Sequence, residues 1–89
     1  MEREFSNIER EELMISVMGT SSSGKSTIIA VIENALREKG FDNVELRGSI
    51  VTDGDYEFTQ KNLDKKIEGI KKFNKKIYIA EVQAVRSLQ

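Results

Sequence analysis

The stretch that most constrains the fold of this chain is GTSSSGKST, residues 19–27. A continuous apolar run, LMISVM at residues 13–18, precedes it, and apolar positions of helical period follow it over residues 25–39. A short apolar run between charge and glycine predicts a strand buried on both faces. The helical pattern ends at Gly40, a usual left-handed stop. The region therefore predicts a strand, a glycine-bounded loop and an amphipathic helix in succession.

Two more strands and a second helix are predicted downstream. Residues 43–46 alternate briefly between polar and apolar, which indicates a second strand that continues through residues 49–51. An apolar stripe predicts a helix that starts at Glu57 or Gln60 and ends at Phe73. The apolar residues 77–80 predict a third buried strand. The expected fold class is α/β, a minimal three-stranded parallel sheet with flanking helices in the order β-α-β-α-β.

Composition limits this chain to one small domain. Its 89 residues are 38% apolar and 33% charged, enough to fold but with a thin core. Cysteine and histidine do not occur, which excludes a disulfide framework, zinc sites built on thiolate or imidazole, and imidazole catalysis. The longest apolar run is too short to span a bilayer, and the charged start lacks the apolar core of a secretory signal. We therefore expect a cytoplasmic protein with no membrane contact.

The glycine-serine stretch matches the spacing G-x-x-x-x-G-K-[ST] of a phosphate-binding loop, the Walker A motif. Glycines let the backbone fold around a phosphate so that successive N–H groups point at it, where the dipole of the following helix also favours an anion. The alternative is a flexible serine-rich loop that matches by chance. The residues expected to contact phosphate are Gly19, Thr20, Ser21, Ser22, Ser23, Gly24, Lys25, Ser26 and Thr27.

With this loop between its predicted strand and helix, the chain resembles the P-loop NTPase superfamily over about residues 13–85. The resemblance implies that Lys25 contacts the β- and γ-phosphates of a nucleotide and that Ser26 binds the Mg²⁺ ion that bridges them. ATP is the favoured nucleotide and GTP the alternative. Residues 74–77, NKKI, lack the acid of the guanine-reading N-K-x-D element.

Two acidic elements extend the resemblance. Glu81 follows the apolar residues 77–80, the form of a Walker B strand, or it only marks where that strand reaches solvent. Asp53 and Asp55 in TDGD resemble the D-G-D element of small-molecule P-loop kinases such as adenylylsulfate kinase. A plain turn with a helix cap is the favoured alternative. The candidate catalytic residues are Lys25, Asp55 and Glu81, and the candidate metal ligands are Ser26, Asp53 and Glu81.

The chain also departs from complete P-loop kinases, because three predicted strands leave no room for an arginine-bearing lid. We therefore expect it to bind nucleotide phosphates with Mg²⁺, with slow or no turnover and a regulatory or assembly role. The alternative is a small kinase or NTPase that transfers the γ-phosphate to a small acceptor or to water. The closing EVQAVR resembles small phage and bacterial proteins described as ATP-binding. Residues 1–12 are expected to form a charged arm, and residues 13–89 a single P-loop domain.

Charge is unevenly distributed although the formal net charge is only -1. Residues 1–12 carry five acids and two bases, whereas residues 61–76 carry seven lysines. A solvated helix face is the favoured explanation for the lysines, with a DNA or RNA backbone footprint as the alternative. A third explanation is contact with the acidic arm of a neighbouring chain. Because the core is thin, we expect a homo-oligomer, most simply a dimer, or a protein partner.

Overall fold

The structure is a computed structural model that describes residues 7–8, 12–20, 23–52, 54–83 and 85–86. The chain divides into two compact units, which we call the terminal unit (residues 1–16 with 76–89) and the helical unit (residues 17–75). In the terminal unit, β1 (Asn7–Ile8) pairs in parallel with β2 (Val85–Arg86), Asn7 opposite Val85 and Ile8 opposite Arg86.

The helical unit begins its regular structure with α1 (Lys25–Glu38), directly after the glycine-serine loop. The helix ends in a left-handed turn at Gly40, whose φ is 97°. There the Gly40 N–H donates to Arg37 O and the Phe41 N–H donates to Leu36 O, both at 3.0 Å. These bonds satisfy carbonyls that the helix end would leave open. The predicted helix and its glycine stop are confirmed.

Three short helices occupy the stretch for which a strand and one helix were predicted. They are α2 (Ser49–Thr52), α3 (Tyr56–Lys61) and α4 (Leu63–Lys72). The second helix predicted from sequence is therefore interrupted, because Asn62 adopts φ -115° and ψ 26° between α3 and α4. Hydrogen bonds continue across the break, since the Asn62 N–H donates to Phe58 O at 3.1 Å and the Lys66 N–H to Asn62 O at 3.0 Å.

The predicted three-stranded parallel sheet, in the order β-α-β-α-β, is wrong for the described residues. Residues 13–18, 43–47 and 77–80 belong to no helix or strand, and residues 49–52 form α2. Leu13 and Ile79 are 100% and 96% exposed, the opposite of a strand buried on both faces. The physical reason for the missing sheet is the packing of the helices. In the helical unit, α1 packs against α3 and α4, so the helices cover one another instead of the two faces of a sheet.

The core of the described residues is small. Ala30 on α1 and Ile50 on α2 are its buried apolar side chains, and Thr27 and Thr59 are buried polar ones. Polar contacts between α1 and α3 supplement it, because the side-chain amides of Asn34 and Gln60 exchange two hydrogen bonds of 3.1 Å.

Candidate phosphate-binding site

Gly24 joins the loop to α1 in a conformation that a side chain would strain. Its φ of 101° and ψ of 17° are left-handed, and it stands at the N-cap position of α1. A Cβ at this position would lie 2.8 Å from Cδ1 and 3.2 Å from Cγ1 of Ile70 on α4. The second glycine of the motif is therefore required by the turn of the backbone, and its missing Cβ also lets Ile70 pack closely.

The first turn of α1 contains donors that the helix itself does not use. The first bond of its ladder runs from the Ile28 N–H to Gly24 O at 3.0 Å. The N–H groups of Lys25, Ser26 and Thr27 precede that ladder and have no acceptor within the helix. No side chain caps this end, and the first turn contains no acidic residue. A helix end of this kind favours an anion through both its N–H groups and its dipole.

Two lysines place their ammonium groups on the backbone of the loop. Lys25 Nζ donates to Thr20 O at 2.7 Å, and Lys75 Nζ donates to Ser23 O at 2.8 Å. These two acceptors belong to one turn, because the Ser23 N–H donates to Thr20 O at 3.2 Å. In the described part of the chain, neither ammonium group forms an ion pair with a carboxylate. Two positive charges thus lie at the loop without a compensating acid among those residues.

Lys75 is the member of this group that the sequence did not predict. It follows α4, where Asn74 adopts a left-handed φ of 48° and its N–H donates to Lys71 O at 3.0 Å. Asparagine is the residue that most often replaces glycine in such a helix-ending turn. The Asn-Lys pair was thus a signal for a turn, but it did not indicate that Lys75 reaches a loop 52 residues away in the chain.

The other predicted loop residues have different surroundings. Gly19 lies beside the turn, and a Cβ on it would come within 2.5 Å of Ser23 Oγ. Thr27 is only 5% exposed, so its side chain belongs to the core rather than to an open surface. Ser21 and Ser22 lie outside the described residues. The structure therefore brings both glycines, the Thr20 to Ser23 turn and Lys25 together at the start of α1.

Of the predicted acids, Asp55 is the one that the structure describes in the same unit as the loop. Asp55 is the exposed N-cap residue of α3, where its carbonyl accepts from the Thr59 N–H at 3.0 Å and its side chain makes no capping bond. Asp53 lies outside the described residues. Glu81 is exposed in the terminal unit, and the preceding residues 77–80 do not form the strand that a Walker B position requires.

A preformed metal centre is not part of this site as far as the described residues extend. None of them form a group of three or more acidic side chains that could hold a metal ion. Ser26, the second residue of α1, is partly buried and offers a hydroxyl oxygen. Because Mg²⁺ usually keeps several waters and binds through substrate phosphates, this arrangement fits an ion that arrives with its ligand.

The lysines of residues 61–76 differ in the groups that they contact. Exposed ion pairs join two of them to acids of the same helices, Lys61 to Glu57 at 3.7 Å and Lys71 to Glu68 at 3.5 Å. Lys66 Nζ lies 5.3 Å from the centre of the Phe58 ring. Such pairs are typical of a solvated helix face and contribute little to stability.

A polar network that the sequence did not predict joins α1 to α3. The Glu33 carboxylate, which the helical pattern places off the apolar stripe, accepts hydrogen bonds from the Tyr56 hydroxyl, from Arg37 Nε at 3.0 Å and from Gln60 Nε2 at 3.5 Å. The Tyr56 bond is the main cause that lowers the pKa of Glu33. Burial, followed by the bond to Glu33, raises the pKa of Tyr56 to about 12. An open depression of about 600 Å³ beside this network has its lining within residues 33–57, so it is distinct from the loop.

Comparisons with known proteins found no relative of this chain. No family model matches the chain, no curated protein matches it, and no solved structure matches it.

Proposed function

We propose that the loop at residues 19–27 binds the phosphates of a nucleotide, with ATP favoured over GTP, and that turnover is slow or does not occur. The observation that carries this proposal is the placement of Lys25 Nζ on the loop backbone at the uncapped start of α1. The phosphate oxygens of the ligand would accept hydrogen bonds from the N–H groups of the first helical turn and from the ammonium group of Lys25.

Gly24 supports the proposal through the shape of the backbone. Its left-handed conformation turns the chain immediately before Lys25, so that α1 begins directly at the end of the loop. The missing Cβ at this position lets Ile70 of α4 approach the start of α1 closely. The buried side chain of Thr27 fixes the first turn of α1 in the core.

We propose that Mg²⁺ binds at the loop only together with the phosphates of the ligand. Ser26 would hold the ion through its hydroxyl, and the ion would supply charge neutralisation for the bound phosphate oxygens. Asp53 and Glu81 stay proposed ligands on the sequence resemblance alone.

Binding is preferred to phosphoryl transfer because transfer needs a carboxylate near the attacking hydroxyl. Asp55 is the candidate in the helical unit, and it lies exposed at the start of α3, with no hydrogen bond or ion pair to the described residues of the loop. A small kinase or NTPase is kept as the alternative function. Turnover that the Asp55→Asn substitution abolishes would favour that alternative.

We further propose that the chain acts with a second copy or another protein, in a regulatory or assembly role. Support comes from large apolar side chains exposed in the terminal unit, among them Leu13, Ile79 and Val82. None of the described helices is long and apolar enough to cross a membrane.

Lys25→Ala tests the proposed binding. Thermal shift and calorimetric titration with ATP, GTP, ADP and inorganic phosphate, with and without Mg²⁺, should show stabilisation of the unsubstituted chain, about 2.7 kcal/mol at a hundredfold excess over the dissociation constant. The substitution should weaken ATP binding about tenfold or more, because a charge-assisted contact contributes about 1.5–3 kcal/mol.

Lys39→Ala is the matched control, since Lys39 is an exposed lysine at the opposite end of α1. It should bind like the unsubstituted chain. If no phosphate compound stabilises the chain, or if Lys25→Ala and Lys39→Ala bind equally well, the proposal is wrong.

A further inference from the structure

We propose that Lys75 is a second phosphate-binding residue of this loop and that the loop accepts a ligand with at least two linked phosphates in preference to a single phosphate. This inference rests on the proposed function and adds a residue that lies outside the loop motif. Lys75 belongs to the segment after α4, and its ammonium group reaches Ser23 O at 2.8 Å.

The position of Lys75 is fixed by the backbone on which it stands. The left-handed turn at Asn74 ends α4 immediately before it, with the Phe73 N–H donating to Ile70 O at 3.2 Å. Ile70, one helical turn earlier, packs closely on Gly24, where a Cβ would lie 2.8 Å from Ile70 Cδ1. The end of α4 is thus held against the loop independently of the lysine hydrogen bond.

An ammonium group can hold the loop and a ligand at the same time. Lysine carries three N–H donors, and Ser23 O uses one of those on Lys75. The other two are available to an oxygen acceptor without loss of the bond to the loop. The flexible stem of lysine also lets the charge follow a ligand over a short distance.

Two ammonium groups on one turn favour a ligand that spreads its negative charge. Lys25 is bound to Thr20 O and Lys75 to Ser23 O, at the two ends of the turn. Inorganic phosphate has fewer oxygens and a smaller negative charge than a diphosphate or triphosphate, so a second ammonium group adds more to the binding of the linked phosphates. The ligand class that fits is a diphosphate or triphosphate, either free or as part of a nucleotide.

The test compares the affinities for inorganic phosphate, pyrophosphate, triphosphate and ATP at one ionic strength, using Lys75→Ala, Lys75→Arg, Lys25→Ala and a control. Lys72→Ala is the matched control, because Lys72 is an exposed lysine at the end of the same helix. Lys75→Ala should weaken binding of triphosphate and ATP about tenfold, but that of inorganic phosphate less than about threefold. Lys75→Arg should retain most of the affinity, and Lys72→Ala should bind like the unsubstituted chain.

The outcomes separate this inference from the proposed function. If Lys25→Ala weakens binding while Lys75→Ala behaves like Lys72→Ala, the proposed function stands and the role of Lys75 is wrong. If Lys75→Ala lowers the affinity for every ligand by the same factor, Lys75 only supports the loop, and the inference is equally overturned. If the unsubstituted chain binds none of the four compounds, both are wrong.

Discussion

Gly24 carries two constraints that act at the scale of a single residue. Its left-handed φ of 101° costs a residue with a side chain about 1–2 kcal/mol. The space beside it is filled by Ile70, whose Cδ1 would lie 2.8 Å from a new Cβ. The end of the Ile70 side chain can shift, so the backbone conformation is the larger of the two costs. Both constraints concern the place where the loop becomes α1.

Gly24→Ala should lower the free energy of unfolding by about 1–3 kcal/mol. Gly69→Ala is the control: Gly69 lies inside α4 with no atom near the position of an added Cβ, so alanine should raise the free energy of unfolding by about 0.5–1 kcal/mol. Urea unfolding followed by circular dichroism measures both. Equal stability of the two variants would contradict the left-handed requirement at Gly24.

At the scale of elements, the packing of α1 on α3 depends on an ionisable network as well as on apolar burial. Glu33 is an acceptor for Tyr56, Arg37 and Gln60, and its side chain is only 12% exposed. The Tyr56 hydrogen bond stabilises the carboxylate form of Glu33, while burial and the neighbouring carboxylate stabilise the neutral form of Tyr56. The pairing of these two helices should therefore depend on pH in both directions.

The stability of the helical unit should fall at both ends of the pH range. Below about pH 4.5 the unfolded chain protonates Glu33 before the folded chain does, so acid favours unfolding until the lowered folded pKa has been passed. Between about pH 10 and the folded pKa of about 12, Tyr56 ionises in the unfolded chain first, so the loss there is about 2–3 kcal/mol.

Tyr56→Phe is the variant that tests this dependence. It should remove the alkaline loss that Tyr56 causes and reduce the acid loss at Glu33, because the main hydrogen bond that lowers the pKa of Glu33 is gone. Unfolding free energies from pH 3 to pH 12, with the difference in tyrosinate absorbance between the two proteins, measure both effects. Parallel stability curves for the two proteins over the whole range would contradict the network.

The elements also show what sequence patterns can and cannot predict here. The helix after the loop and its stop at Gly40 were predictable, because period, glycine and hydrogen bonds all act locally. The three strands were not, because a short apolar run does not determine whether it meets a sheet or lies exposed. In the site, the spacing of Gly24 and Lys25 was visible in the motif. Lys75 was not, since its contact depends on how α4 packs on the loop.

At the scale of the whole molecule, few of the large apolar side chains among the described residues are buried. Ala30 and Ile50 are the buried apolar residues, whereas residues exposed by half or more in the terminal unit include Leu13, Ile15 and Ile79. A chain of 89 residues buries a smaller share of its surface than a larger domain does. Contact with a second copy is the simplest way to remove this apolar surface from water.

The chain should therefore associate with itself in a way that depends on the terminal unit. Light scattering coupled to size-exclusion chromatography should give about twice the 10.1 kDa chain mass at micromolar concentrations. The double substitution Leu13→Lys and Ile79→Lys should shift the equilibrium to the single chain, since two charges would have to be buried in the contact. Phe41→Lys is the control, because Phe41 is 59% exposed but belongs to the helical unit. A mass of one chain for the unsubstituted protein at all concentrations, or equal dissociation by the control, would contradict this interface. Repeating the measurement with ATP then tests whether occupancy of the loop changes the association, as an assembly role requires.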